Sequence, residues 1–193
     1  MRQLLVAMAL VCAACAGPQT RADVAPPVPA LAAPAKSPTD VTGGFYNAYR
    51  TLPPGGGIPD AKARAAIEPY ITPALDQLLI AAAGAEDEYA TATRHKSPPL
   101  WEGDIFTSNF EGVTSVGNPV CNWSGAKGTC DVMLTYDDKS GRPVSWTDKV
   151  MLVENGADWR IDDIAYGATW DFGNKGTLRE NLKEVIEEAK KAP

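Results

Sequence analysis

Two aspartates stand at positions where the strand pattern predicts apolar side chains. In strict alternation, Asp148 shares a face with Trp146 and Val150, and Asp163 shares a face with Trp159. An ionised carboxylate among packed apolar groups needs partners, or its pKa rises. If the two carboxylates faced each other across neighbouring strands, they would form a general acid and base pair. Such a pair would suit a small isomerase or hydrolase that uses Asp148 or Asp163 as its general base.

The same two aspartates also have a structural interpretation, which we prefer. Each carboxylate can accept hydrogen bonds from backbone amides or pair with a cation, and structural ion pairs perturb carboxylates just as active sites do. The cations that the sequence offers are Arg94, Lys149 and Arg160. If backbone amides or cations bond to both carboxylates and no cavity lies beside them, the catalytic interpretation fails.

A short polar segment between the predicted helices and strands supplies further candidates. Asp104, Thr107 and Ser108 could line the mouth of a pocket and exchange hydrogen bonds with a ligand. Alternatively they fix the loop itself, because short polar side chains bond readily to neighbouring backbone amides. We prefer the second interpretation and keep all three residues as binding candidates.

Five tryptophans are many for a chain of 193 residues. Core filling accounts for Trp146 and Trp159, whereas Trp123 and Trp170 fall where the chain can be partly exposed. Exposed aromatic rings are typical of protein interfaces and sugar-binding faces. Trp123 is kept as a candidate ligand-binding residue for this reason. Trp146 is kept as a second candidate although core filling accounts for it.

The sequence contains no motif that predicts a metal site or a cofactor. His95 is the one histidine, it lacks a second imidazole at ligand spacing, and it lies in a loop flanked by lysine and proline. No Gly-x-Ser-x-Gly marks a nucleophilic serine, and the three glycines at 55–57 lack the lysine of a phosphate loop. We expect no metal and no cofactor, and the sequence favours a domain without catalytic activity.

Cys15 carries the clearest chemical signal in the chain. A positive residue, an apolar run and two alanines precede it, as in a bacterial lipoprotein signal whose cysteine is acylated. Cys12 stands where such signals usually have leucine. We predict a signal peptide over 1–14, an acylated cysteine with a Pro/Ala-rich tether over 15–39, and one domain over 40–193.

The predicted anchor also indicates the compartment. Ala16 rather than aspartate follows the cysteine, which favours the outer membrane, with the domain in the periplasm. Disulfides persist there, and the nine-residue spacing of Cys121 and Cys130 suits a bridge across a hairpin. A metal pair is the alternative, but Cys-x-x-Cys spacing is absent.

Charge and length exclude several classes of partner. Eighteen Lys and Arg oppose 24 Asp and Glu, for a net charge of −6, and losing Arg2 with the signal takes it to −7. A chain without a basic stripe is a poor match for nucleic acid.

The first apolar run is shorter than the ~20 residues of a membrane-spanning helix. We expect membrane contact through the lipid anchor, and an envelope protein or a small molecule as partner.

The elements that must position these residues are helices first, then strands, then a closing helix. Apolar spacing predicts helices over roughly 45–52, 60–67 and 73–91, and Asp60 and Thr72 are the expected caps of the second and third. Alternation predicts strands near 132–136, near 144–152 and from 159 onward, and a capping box at Thr177 opens the last helix. This order indicates an α+β fold with helices packed on one face of an antiparallel sheet.

Several motifs of this chain occur together in one bacterial family. They are FYNAY at 45–49, GDIFTS at 103–108, WTD at 146–148 and WRIDDIAYG at 159–167. In these motifs the chain resembles the family catalogued as domain of unknown function 3828, over most of residues 41–188. The resemblance implies a lipoprotein with a cone-like fold similar to nuclear transport factor 2. In that fold, N-terminal helices pack on a curved antiparallel sheet of about four strands, followed by a C-terminal helix. It implies no reaction.

The favoured hypothesis is a membrane-anchored, non-catalytic envelope lipoprotein that binds a small molecule, a peptidoglycan fragment or a protein. Inhibitor and immunity proteins are a subset of this class, and the 121–130 hairpin is the loop that would block a partner's active site. A purely structural envelope component would instead show a large apolar surface patch. The small cone-fold enzyme is the catalytic alternative.

Overall fold

Each N-terminal helix begins at a capping residue that the sequence supplies. The computed structural model describes residues 36–54 and 56–191. Helix α1 (Pro38–Tyr49) follows Ser37, α2 (Ala61–Ile67) follows Asp60, and α3 (Pro73–Ala92) follows Thr72. In each case the cap side chain accepts a backbone N–H of the first turn, which satisfies a donor that has no partner within the helix.

Helix α1 starts earlier than the apolar spacing predicts, inside the segment assigned to the tether. Pro38 takes the first helical position, where its missing N–H costs nothing, and Ser37 and Asp40 form a capping box. The predicted signal peptide, Cys15 and the tether up to residue 35 lie outside the described residues. Within 36–54 and 56–191, no helix has the length and apolar character needed to cross a membrane.

An antiparallel sheet follows the helices. Its strands are β3 (Ser115–Val116), β4 (Val120–Ser124), β5 (Lys127–Tyr136), β6 (Val144–Asn155) and β7 (Asp158–Ala165). Strands β5, β6 and β7 are neighbours in that order, while β3 and β4 share the other edge of β5, so the sheet is four strands wide. A separate parallel pair joins β1 (Gly56–Gly57) to β2 (Gly103–Asp104).

The closing helix α4 (Leu178–Ala189) begins at the predicted capping box of Thr177 and Glu180 and packs against α3 and β7. Helices cover one face of the curled sheet, where alternate residues of the long strands are buried. The α+β prediction, with N-terminal helices, a curved antiparallel sheet and a C-terminal helix, is confirmed. The buried strand residues include Val132, Leu134, Val150, Leu152, Ile161 and Ile164.

The disulfide predicted across a hairpin is present. Cys121 and Cys130 stand directly opposite each other on β4 and β5, with Cα atoms 4.0 Å apart. Cys130 is fully buried, and the Thr42 hydroxyl of α1 lies 3.3 Å from its sulfur. The bridge therefore ties the edge strand β4 to the helix-covered face of the sheet.

A β-bulge in β7 changes which residues face the core. Leu152 pairs with Ile161, but the preceding residue of β6 pairs with Asp163, so Asp162 is an extra residue without a partner on β6. The buried face consequently carries Ile161 and Ile164. The alternation predicted from the sequence is wrong at Asp163, which lies on the opposite face.

Candidate functional site

A loop runs through the interior between β2 and the sheet. All six residues from 103 to 108, here called the buried loop, are buried. The Asn174 side-chain amide donates to the carbonyls of Asp104 and Thr107, both at 2.7 Å, and the Tyr166 hydroxyl donates to the Ile105 carbonyl at 2.5 Å. A loop can leave the surface only when its backbone polar groups find such partners. The buried loop carries three of the sequence candidates.

Asp148 is fully buried and accepts four hydrogen bonds. One carboxylate oxygen accepts from the Ser108 hydroxyl and from the Gly167 amide at 2.9 Å. The other accepts from the Ser108 amide at 2.8 Å and the Trp146 indole N–H at 3.1 Å. A carboxylate offers about four acceptor positions, so none is left for a substrate. This matches the structural interpretation, with amides, a hydroxyl and an indole rather than cations as partners.

Ser108 is the centre of this network. Its hydroxyl donates to Asp148 and accepts the N–H groups of Gly167 and Ala168, at 2.9 and 3.1 Å. Glycine is required at 167 because a Cβ there would lie 1.9 Å from the carbonyl oxygen of Thr147. This close approach lets the chain after β7 bring its amides to the carboxylate on β6.

Thr107 and Trp146 are also engaged within the fold. The Thr107 hydroxyl donates to the carbonyl of Asn109 at 3.1 Å. Trp146 is 6% exposed, and its ring contacts the edge of the Trp170 ring with centroids 5.4 Å apart. These contacts favour the interpretation in which Thr107 and Ser108 fix the loop and Trp146 fills the core.

Asp163 does not meet Asp148, because the bulge turns it to the other face. One of its oxygens accepts the Ile164 amide and the Arg179 amide, both at 2.9 Å. Arg179 is the second residue of α4, so the carboxylate satisfies a free donor at the start of that helix. The acid and base pair proposed from the sequence is therefore not assembled. Lys149, one of the cations considered, pairs with Asp131 instead.

Asp104 is held differently. One of its oxygens accepts the Tyr49 hydroxyl at 2.6 Å, and the other accepts the Phe106 amide at 2.8 Å. None of the described lysine or arginine side chains forms a salt bridge with it. Burial raises the pKa of Asp104 to about 6, although hydrogen bonds from Tyr49, Phe106 and Thr107 act in the opposite direction. Burial also raises the pKa of Tyr49, so its hydroxyl stays protonated and serves as the donor.

A pocket of about 190 Å³ opens beside Asp104. It lies between the end of α1, the β1–β2 pair and the start of α2, where Asp60 also borders it. The described residues that line it include no basic side chain. Its polar wall is formed by Tyr49 and Asp104, and its apolar wall includes Leu52, Pro53, Ile58 and Phe106.

Sequence reasoning selected Asp104 but missed two residues that hold it. Tyr49 entered only as part of the first predicted helix and of the FYNAY motif, although a tyrosine at a core position is itself a signal for a buried hydroxyl partner. Gly112 has φ +79°, and a Cβ there would lie 2.9 Å from the Tyr49 oxygen and 3.3 Å from Asp104 Oδ2. Glycine is needed because the backbone packs on the pair in a left-handed conformation.

Replacing Tyr49 by phenylalanine should raise the pKa of Asp104 further above 6. The hydroxyl stabilises the ionised carboxylate, and a hydrogen bond to a charged group contributes about 1.5–3 kcal/mol, equivalent to roughly one to two pKa units. Carbon-detected NMR titration of the aspartate carboxyl groups measures the change directly.

Tyr46→Phe is the matched control on the same helix. Tyr46 is buried, but its hydroxyl has no hydrogen-bond partner among the described residues. Its removal should leave the Asp104 titration in place and leave the free energy of unfolding equal or slightly higher. An Asp104 pKa that is the same in Tyr49→Phe and Tyr46→Phe would show that the pair does not form in solution.

The remaining candidates lie away from this pocket. Trp123 is 56% exposed on β4, and its hairpin stays within the sheet because β5 remains paired with β6 as far as Lys127. His95 is exposed in the loop after α3. Across the described part of the chain, no three His, Cys, Asp or Glu side chains gather closely enough to hold a metal ion.

Comparison of the chain with models of protein families, with curated protein sequences and with solved structures finds no match. The resemblance to domain of unknown function 3828 stays a prediction.

Proposed function

We propose that this protein is a lipid-anchored envelope protein whose domain binds a small ligand, without catalysis, in the pocket beside Asp104. The contrast between two buried aspartates carries the proposal. Asp148 has its acceptor positions filled by the fold, whereas Asp104 lines an open pocket and forms no salt bridge with a described residue. Since Asp163 is also engaged by backbone amides, the alternative of an enzyme that uses Asp148 or Asp163 loses its support.

A fragment screen tests the pocket. Ligand-observed NMR with small neutral, cationic and anionic compounds should find binders. In protein-observed spectra, these binders should shift the amide signals of Tyr49, Asp104 and Phe106. Ala63→Leu is the variant that blocks the pocket. Ala63 lines the pocket from α2, and leucine fills the space while keeping a high helix propensity. Binders unaffected by Ala63→Leu, or no binder in any charge class, would contradict the proposal.

The anchor has its own test. Cys15→Ser should remove palmitate labelling and move the protein from the membrane fraction to the soluble fraction, because each buried methylene of an acyl chain contributes about 0.8 kcal/mol to membrane binding. Cys12→Ser is the control, since Cys12 belongs to the predicted signal peptide and its loss should leave the anchor in place. Membrane-bound, labelled Cys15→Ser protein would rule out this site of attachment.

A protein partner is the second candidate, favoured by the exposure of Trp123. The ring stands on the disulfide-bridged hairpin, and large exposed aromatic residues often anchor interfaces. If this surface serves a partner, Trp123→Ala should reduce capture of that partner at least tenfold in a pull-down from envelope extracts, with Met133→Ala as an exposed apolar control elsewhere on the sheet. Equal capture by both variants would remove this candidate.

A further inference from the structure

We infer that the pocket beside Asp104 selects a compact organic cation, an ammonium group carried on a small apolar body. The inference rests on the proposed function, because it names the class of ligand for the same pocket. The ammonium group would pair with the Asp104 carboxylate, and the apolar body would contact the opposite wall of the pocket.

The Asp104 carboxylate is oriented so that it can accept hydrogen bonds from such a group. Its carboxylate has about four acceptor positions. The Tyr49 hydroxyl lies 2.6 Å from one oxygen and the Phe106 amide 2.8 Å from the other, and Thr107 also acts on the carboxylate. Asp148, by comparison, has four donors within 3.1 Å. Because the two donors hold Asp104 in one orientation, a ligand with N–H groups would bind a carboxylate that is already in place.

The charges at the pocket favour a cation over a neutral or anionic ligand. Asp60, the N-cap residue of α2, brings a second carboxylate to the pocket, and the described lining residues include no lysine, arginine or histidine. A buried carboxylate without a cation carries a desolvation cost, which a bound ammonium group would offset. An anion would instead add like charge to Asp104.

The size and walls of the pocket restrict the rest of the ligand. Its volume of about 190 Å³ lies below the ~300–1,000 Å³ of drug-sized sites, so the ligand body must be compact. Leu52, Ile58 and Phe106 offer apolar contact. A bare divalent metal ion fits poorly, because it requires several oxygen ligands rather than apolar walls.

The same geometry sets the pH dependence of binding. Burial raises the pKa of Asp104 to about 6, so its carboxylate is ionised near pH 8 and mostly protonated near pH 5. The neighbouring titratable groups are Tyr49 and Tyr46 on α1, Tyr166 after β7, and Asp60 at the pocket. Burial raises the pKa of all three tyrosines, so they stay neutral throughout this range. A cation should therefore bind about tenfold more weakly near pH 5 than near pH 8.

Three probes of similar size and different charge test the inference: benzylammonium, benzyl alcohol and benzoate. Each is titrated into the purified full-length protein in a non-ionic detergent, and the amide signals of the pocket residues are followed by NMR. Benzylammonium should bind at least tenfold more tightly than benzyl alcohol, and benzoate should bind most weakly. Asp104→Asn should cut the affinity for benzylammonium at least tenfold and change that for benzyl alcohol little. The amide of Asp104→Asn keeps the size of the carboxylate and can still accept from Phe106, so this variant should fold.

The outcomes separate this inference from the proposed function. If benzyl alcohol or benzoate binds as tightly as benzylammonium, or if Asp104→Asn binds the cation undiminished, the inference is overturned and the pocket stands as a ligand site. If none of the three probes binds, the inference also fails. The proposed function falls with it only when the fragment screen finds no binder either.

Discussion

Asp148→Asn is expected to lower the free energy of unfolding by about 3 kcal/mol or more. Three separate segments direct N–H or O–H donors at this buried carboxylate: the buried loop, β6 itself and the chain after β7. An amide nitrogen in place of one oxygen would face two of these donors, so two hydrogen bonds would be lost and like dipoles would oppose each other. Urea unfolding followed by tryptophan fluorescence measures the loss.

Asp131→Asn is the matched control for this prediction. Asp131 lies on the neighbouring strand β5, half-exposed, in an ion pair with Lys149, and exposed ion pairs contribute about 0–1 kcal/mol. If Asp148→Asn does not fold, Ser108→Ala provides a milder change. It deletes the hydroxyl that donates to Asp148 and leaves the Ala168 amide without its partner, at an expected cost of about 1–2 kcal/mol. Losses no larger than that of Asp131→Asn would mean that the network does not form in solution.

Replacing Cys121 and Cys130 together by alanine is expected to cost about 2–3 kcal/mol, because the bridge restricts the unfolded chain even when it closes a short loop. The native geometry adds to the effect. Cys130 is fully buried, and the bridge fixes β4, which pairs with β5 alone, to the sheet. We expect the loss to appear as a lower urea midpoint with a slightly steeper denaturant slope, because the unfolded chain expands once the short loop is no longer closed.

Reduction of the wild-type protein separates the bridge from the packing of the two side chains. A thiol reductant should destabilise the wild type by somewhat less than the double substitution does, because it breaks the bond but keeps both sulfur atoms. The double variant itself should not respond to the reductant. If the wild type were equally stable with and without reductant, the bridge would contribute nothing to stability.

Local features of the chain were sufficient for the elements of the fold. Asp60 and Thr72 predicted the starts of α2 and α3, and the box at Thr177 predicted the start of α4, because a cap bonds to an amide only two or three residues away. The hairpin disulfide could be predicted for a similar reason, since Cys121 and Cys130 are separated by a single turn. The cap at Ser37 was overlooked because the prolines around it suggested a tether.

The bulge in β7 illustrates where such local reasoning ends. One extra residue, Asp162, moves Asp163 from the core face to the opposite face. The bulge is stabilised by distant groups, because the Asp162 carboxylate accepts the hydroxyl of Thr72 at 2.9 Å and pairs with Arg179 at 3.1 Å. No pattern within the strand sequence encodes those partners, so alternation alone predicted the wrong face.

The residues of the candidate site show the same difference between what local sequence predicts and what distant contacts decide. The sequence by itself determined that Asp148 is a carboxylate on an apolar strand face, that Asp104 belongs to a short polar segment between helices and strands, and that a cysteine pair could close the hairpin. Only the tertiary structure decided that Asp148 is enclosed by donors from Ser108 and Gly167, whereas Asp104 borders a pocket with Tyr49 beside it. The physical reason is that helix caps and strand periods are short-range properties of the chain. Tyr49, Ser108 and Gly167 reach these two buried carboxylates from segments 19 to 55 residues away, and their positions are set by how those segments pack.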